Sequence, residues 1–382
     1  MRPPAKPWSP TRQGYPTQPR DGENTRPPAS PHAPDQERHP TTAMTNHPIP
    51  PPPVRGHLDL LRELEPAVAH HLDRHLKAAS EWFPHQYVPW SSAHDFEGPL
   101  GGEPWNSGQS HLPPAVRDAL LVNLLTEDNL PSYHHEIATS FGRDSAWGTW
   151  VHRWTAEEGR HAEALRGYLH AVRGLDPVEL ERARMAHVGA GYQSPHPSLA
   201  HGLAYVTVQE LATREAHRNT GHACDEPHGR RLMTRIAADE NLHMVFYRAL
   251  CADLLDLAPE EFTTAFADVV CDFTMPGHGI PGFQGRAARI AAAGIYDLSV
   301  HHHHVLLPLL RTLGVMERTG LRPEGEEALD RIGRHLEDLT DKGKRLANLQ
   351  DRMRQRTQQT ARSTGLEARP RPASDKELEV PR

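Results

Sequence analysis

Ala237-Ala238-Asp239-Glu240-Asn241-Leu242-His243 and its near-copy Thr155-Ala156-Glu157-Glu158-Gly159-Arg160-His161 are the stretches on which the reading of this chain turns. Residues three apart on an α-helix share a face, so Glu158 with His161, and Glu240 with His243, each offer a carboxylate and an imidazole to one point. Two such pairs can hold metal between them. Their number alone does not argue for this: with 28 glutamates and 28 histidines in 382 residues, about two Glu-x-x-His strings arise by chance, and two occur.

What chance does not supply is the repeat around them. Glu127 precedes Glu158 by 31 residues, and Glu210 precedes Glu240 by 30. A Glu from each of two helices with Glu-x-x-His from each of two others is the ligand set of four-helix di-iron carboxylate proteins. The other reading is a pair of solvated helix faces. Inside a bundle, four carboxylates and two neutral imidazoles are costly without compensation, and two divalent cations supply it, four positive charges meeting four negative ones. Mixed carboxylate and imidazole ligation suits iron or manganese better than structural zinc, which prefers thiolate and imidazole. Asp239, Glu157 and Asp128 adjoin ligands and fit an outer set that orients the imidazoles, though each also reads as an ordinary helix charge. Thr213, three residues after Glu210, either places a hydroxyl near the metal pair or bonds back to its own helix.

Composition narrows the classes. A formal charge of −7 and a pI near 6.5 exclude the basic face of a dedicated nucleic-acid binder. Cys224, Cys251 and Cys271 are scattered, so neither a disulfide framework nor a zinc ribbon is indicated, and a reducing cytoplasm is expected. No signal-peptide core, membrane span or Gly-rich phosphate loop is found in the sequence.

Residues 1–53 hold 16 of the 36 prolines and are expected to form a disordered tail, being too poor in apolar side chains to offset the entropy of ordering. From His57 a helical period sets in, with Leu58, Leu61, Leu64, Val68, Leu72 and Leu76 at steps of three or four. Pro66 bends or divides this helix, which ends near Trp82, by itself a core anchor. Leu112-Pro113-Pro114 opens a helix apolar nearly all round, hence central, that carries Glu127. Pro131 removes an intrahelical bond at the level of Glu127 and predicts a kink beside it. Asp144 or Ser145 is placed to cap the next helix, on which Trp147, Trp150, Trp154, Glu158 and His161 share a stripe. Such a stripe is core by default and the wall of a metal pocket otherwise. Further helices are expected from about Ser198 to Thr220, from Pro227 to Leu257, from Pro259 to Phe273, over 283–312 and over 322–357. The polar end from 358 is expected to be disordered, leaving one domain over 54–357. His301 to His304 reads as a solvated or partner-facing helix segment, since four consecutive imidazoles cannot meet one metal.

With these residues assembled, the chain resembles the soluble acyl-[acyl-carrier-protein] desaturases of the plant plastid and actinobacterial type. The matching pieces are Thr126 through Tyr133, Trp147 through His161, Gln209-Glu210 with Thr213, Asn219-Thr220, Ile236 through His243, and Met275-Pro276 with His278. The resemblance implies an all-α fold, a ferritin-like di-iron four-helix bundle with additional flanking helices. It implies that Glu127, Glu158, His161, Glu210, Glu240 and His243 bind two irons, that Trp82, His161 and Asp239 form an electron path from the surface, and that Thr213 assists oxygen activation. Reduced ferredoxin then delivers electrons, a fatty acyl chain on acyl carrier protein enters a bent apolar channel, and a cis double bond forms between adjacent methylenes. A homodimer is implied as well. Two departures bear on chain length and bond position: the segment between Tyr133 and Trp147 is shorter than in plant members, and Glu136 puts a charge where an apolar wall is expected. An acyl hydroxylase would use the same ligands, and a ferritin-like iron store is the non-enzymatic alternative.

Overall fold

The computed structural model describes residues 56–275 and 277–363; the expected Pro-rich tail over 1–53 lies outside them, as does the end expected to be disordered from 358 except for 358–363, which are helical. Helix α1 (His57–Ala78) carries Pro66 without interruption, and its buried stripe is Leu60, Leu64, Val68, Leu72 and His75. Leu58 and Leu76, assigned to the inner face from the sequence, are exposed. The inner face thus ends on a histidine where leucine was expected.

Helices α2 (Pro114–Asp128) and α3 (Leu130–Phe141) follow each other with a break at Asn129, whose N–H bonds back to the carbonyls of Thr126 and Glu127. The kink predicted from Pro131 is therefore present, one residue past Asp128. Helix α4 (Ser145–Ala171) begins after Asp144, but neither expected cap forms: the Asp144 side chain makes no cap bond, and Ser145 has φ 61°. Glu65 of α1 accepts the Ala146 N–H at 2.9 Å instead, so the start of α4 is satisfied from a neighbouring helix. Helix α5 (Pro177–Ala190), not anticipated from the sequence, is capped by the Asp176 carboxylate. Ser198 caps α6 (Leu199–Ala223) and Glu226 caps α7 (Pro227–Leu257), which is followed by α8 (Pro259–Asp272).

The single helix expected over 283–312 is divided into α9 (Phe283–Ala292) and α10 (Leu298–Val300), the latter running through a π-helical turn, His301–Leu306, into α11 (Leu307–Leu313). The left-handed Gly294 turns the chain, and Asp297 caps the restart. In the π-turn His301 and His302 are buried, which corrects the solvated reading of that run; only His303 and His304 face out. The His301 ring stacks on Phe273 with centroids 5.1 Å apart, and burial pushes it down to about 4, so it is neutral. Helix α12 (Pro323–Ser363) completes the described chain. Among the described residues no strand forms beyond an isolated bridge between Phe96 and Glu103, and no helix is long and apolar enough to cross a membrane.

The α2/α3 pair with α4, α6 and α7 forms a four-helix core, and the apolar interior falls into two clusters. Trp147 to Trp154 of α4, Leu199 to Ala212 of α6 and Met244 to Leu255 of α7 belong to one. In the other, Val116, Leu120, Leu124 and Leu125 of α2 join Leu165 and Leu169 of α4 and Leu232 and Ile236 of α7. Helix α4 thus runs from the first cluster to the second and α7 the opposite way, and on both the Glu-x-x-His residues fall at the boundary. Trp150, read as core, is fully buried and stacks on Phe246 with centroids 3.5 Å apart.

Beyond α4, Arg173 (φ 50°) is a buried cation that gathers a long connection. Its guanidinium donates to the Asp95 carbonyl at 3.2 Å, the Glu103 carbonyl at 2.9 Å and Gln109 Oε1 at 3.0 Å, and lies 4.1 Å from the centre of the Phe96 ring. Arg173→Ala is expected to cost about 2–4 kcal/mol in urea unfolding, because several carbonyls lose a charged donor at once. Arg173→Lys should recover little of it, since an ammonium cannot fork to acceptors so far apart.

Candidate metal centre

Each of the four core helices brings a side chain to the boundary between the apolar clusters. Glu127 comes from the last turn of α2, Glu158 and His161 from α4, Glu210 from α6, and Glu240 and His243 from α7. All six are buried. They form two overlapping groups, Glu127, Glu158, His161 and Glu240, and Glu158, Glu210, Glu240 and His243; within each, one ligand atom per residue lies within 4.8 Å of the others. Glu158 and Glu240 belong to both groups, while each group has its own imidazole and its own outer glutamate. Two divalent cations would suit this set, with Glu158 and Glu240 common to both.

The inward atoms support this reading. His161 Nδ1 stands 3.3 Å from oxygens of both Glu158 and Glu240, and His243 Nδ1 stands 2.8 Å from Glu158. Glu158 Oε1, Glu210 Oε2, Glu240 Oε1 and both Nδ1 atoms are buried with no well-aligned hydrogen bond among the described residues, although His243 Nδ1 and Glu158 Oε1 stand 2.8 Å apart. Converging lone pairs without donors are what cations satisfy and proteins otherwise avoid. Burial, with the charge of Glu240 adding to it, pushes the carboxyls of Glu158 and Glu210 up; burial works the same way on Glu127 and Glu240, but the neighbouring imidazoles outweigh it and hold those two down.

The outward nitrogens are held by carboxylates. His161 Nε2 faces Asp239 Oδ2 at 3.5 Å, and His243 Nε2 donates to Glu157 Oε2 at 3.0 Å. Burial works against the charge on Glu157, but the bonds from His243 and His75 outweigh it and hold its carboxyl far below the usual range. Asp128 plays no such part: it pairs with Arg166, and burial pushes it up to about 6. Trp82 is buried, donates to Asp239 at 2.6 Å, and lies nearly parallel to His161 with centroids 6.3 Å apart. The guanidinium groups of Arg160 and Arg235 stand 5.0 and 5.8 Å from its ring.

Two residues of the site were missed in the sequence. His217 Nε2 bonds to Glu127 at 3.2 Å and lies 3.5 Å from Glu240; burial resists its charge, but the closeness of these two carboxylates pushes it up to about 9. It stands seven residues after Glu210, two turns on the same face, which is the signal that would have found it. His75 donates to Glu157 at 2.9 Å, and its signal was a polar residue in register with the apolar stripe of α1.

A profile described as "Fatty acid desaturase" matches residues 56–366. This chain belongs to the fatty acid desaturase family. The desaturase is 44% identical over 290 residues to DesA1 of Mycobacterium tuberculosis, whose name places it among the acyl-[acyl-carrier-protein] desaturases, the match covering 74% of this chain and 86% of that one. It is 33% identical over 304 residues to acyl-[acyl-carrier-protein] desaturase 7 of rice, covering 72% of this chain and 73% of the rice protein. The X-ray structure of DesA2 from Mycobacterium tuberculosis superposes with a TM-score of 0.58 at 30% identity, over 70% of this chain and 98% of that one.

Beside the carboxylates the desaturase has a narrow cavity that opens on one side to the surface. Glu127, Glu158, Glu240 and Thr213 line one part of it, and Leu130, Ile137, Phe141 and Val206 supply apolar wall. Tyr133, Tyr192, His196, Tyr205 and Met275 also line a second, wider space of about 650 Å³. Thr213 lines the cavity, and its hydroxyl donates to the Gln209 carbonyl at 2.9 Å, the bond back to its own helix. Glu136 does line the cavity, where its Oε2 accepts the Ser194 N–H at 3.2 Å.

Ferrous or manganous ion added without oxygen to metal-free desaturase is expected to raise its melting temperature by several degrees in scanning calorimetry, by mass action on the folded state. Glu158→Ala, which removes a member of both groups, should abolish the rise. A rise that survives this substitution would put the metal elsewhere.

Proposed function

We propose that this desaturase forms a cis double bond in a fatty acyl chain carried on acyl carrier protein, using dioxygen and two irons held by Glu127, Glu158, His161, Glu210, Glu240 and His243. The observation that carries the proposal is the junction of two unlike environments: a largely apolar cavity meets a buried cluster of acceptors that lack donors. An iron store needs the second and not the first. Iron, when bound, supplies the reduction of dioxygen that makes unactivated C–H bonds reactive, which acid and base groups do not achieve.

The residues of the chain do the rest. Leu130, Ile137, Phe141 and Val206 hold methylenes and keep water from them. Trp154 donates to Glu210 Oε1 at 3.0 Å and so leaves Oε2 for metal. Asp239 and Glu157 fix the imidazoles with Nδ1 inward. Trp82, linked to His161 through Asp239 and overlaid by two guanidinium groups, suits electron entry from an acidic one-electron carrier, for which ferredoxin is proposed. The names of the mycobacterial and rice relatives support acyl carrier protein as the bearer of the chain. The homodimer rests on the family resemblance, and a cytoplasmic setting on three cysteines that form no disulfide.

The test is mass spectrometry of products from iron-loaded protein given stearoyl-carrier protein, reduced ferredoxin and oxygen. A product two daltons lighter is expected; one sixteen daltons heavier would replace desaturation by hydroxylation. Glu240→Ala should lose both iron and turnover. Glu136→Met, which takes a charge out of the cavity wall, should shift preference toward longer chains. At about 0.8 kcal/mol per methylene buried, the shift is about fourfold for each added methylene, read by competition between carrier-bound chains.

A further inference from the structure

His161 and His243 are held in matching ways. Each turns Nδ1 to the carboxylate cluster and Nε2 to an outer carboxylate, Asp239 for His161 and Glu157 for His243. Each outer carboxylate pairs with an arginine four residues before it on its own helix, Arg235 with Asp239 and Arg153 with Glu157. Each also receives a ring N–H from outside the four-helix core: Trp82 Nε1 reaches Asp239 Oδ2 at 2.6 Å, and His75 Nε2 reaches Glu157 Oε2 at 2.9 Å. The two ring donors stand seven residues apart in sequence, at the end of α1 and just past it.

We propose that His75 is the counterpart of Trp82, a positioning residue that fixes the ring of His243 toward its metal through the Glu157 oxygen they share. Glu157 Oε2 accepts from both imidazoles, so the His75 bond sets where that oxygen lies and hence where the His243 N–H points. With Arg153 on the other oxygen, at 2.6 Å from Nε, the carboxylate has no freedom to turn. This inference rests on the metal-centre reading. A packing role is the competing account, since the His75 ring also meets Trp150 edge-on at 5.0 Å and lies nearly parallel to His243 at 5.8 Å.

Two substitutions separate the accounts. His75→Phe keeps a ring and loses the donor; His75→Gln loses the ring and keeps an N–H of similar reach. A third, His75→Ala, makes use of a surface pocket of about 310 Å³ lined by His75 itself with His71, Arg74, Lys77, Val245 and Phe246, through which imidazole can reach the vacated place.

The experiment is anaerobic titration of metal-free protein with cobalt(II), read by calorimetry and by the visible absorption band of the bound ion. Wild type should take two ions. His75→Phe should lose 10- to 100-fold in affinity at one of them, the usual scale for removing an outer partner of a ligand, with a changed absorption band. His75→Gln should stay within a few-fold of wild type, and added imidazole should restore His75→Ala. If His75→Phe binds as wild type does, or if Gln and Phe are equally impaired and imidazole has no effect, His75 does not position His243. Wild type that takes up no cobalt would instead overturn the metal-centre reading on which the inference stands, and the two failures are told apart by that control.

Discussion

Four carboxylates share one buried boundary, and the rest of the fold answers to that fact. Charges of one sign so close together in an apolar interior repel and lose their hydration, and the imidazoles among them offset this at Glu127 and Glu240 but not at Glu158 and Glu210. The inward atoms that lack donors, the raised carboxyls of Glu158 and Glu210, and the His217 imidazole between Glu127 and Glu240 are three expressions of the same imbalance. Two divalent cations would remove it. The apolar clusters on either side are what keep water from removing it more cheaply.

Seen from the cluster outward, polar contacts are graded. Carboxylates that face each other are backed by imidazoles, the imidazoles by Asp239 and Glu157, and these by arginines and by ring donors at the edge of the bundle. Helix α1 contributes no acid to the centre and is easily taken for packing, yet the segment from His75 to Trp82 reaches both outer carboxylates. The four-helix core therefore does not contain the whole of its own centre.

The acids at the boundary were legible in the sequence because their spacing is helical and repeated, and Pro131 told of the break beside Glu127, although Pro66, which lacks an N–H just the same, leaves α1 unbroken. The helix starts at Pro227 and Pro259 were legible for a related reason, proline being favoured in a first turn. What was missed is polar residues on inner faces. Counting apolar residues put Leu76 inward and passed over His75, and the same habit sent His301 and His302 to solvent. Glu157 and Asp128 looked alike in sequence, each one position from a ligand, but the partners that distinguish them, His75 and Arg166, come from other helices or later turns. The start of α4 failed locally because its donor is met by Glu65, 81 residues away.

The break at Asn129 separates two duties that a continuous helix would have joined. Glu127 is on α2, packed in one apolar cluster, whereas the cavity wall from Tyr133 to Phe141 is on α3, packed against the other. A continuous helix transmits a shift in one turn to the next through its hydrogen bonds; here the ladder is interrupted between acid and wall. A change of shape along α3 is therefore not passed directly to the acid, and the cavity wall and the metal centre are mechanically separate on this side of the bundle.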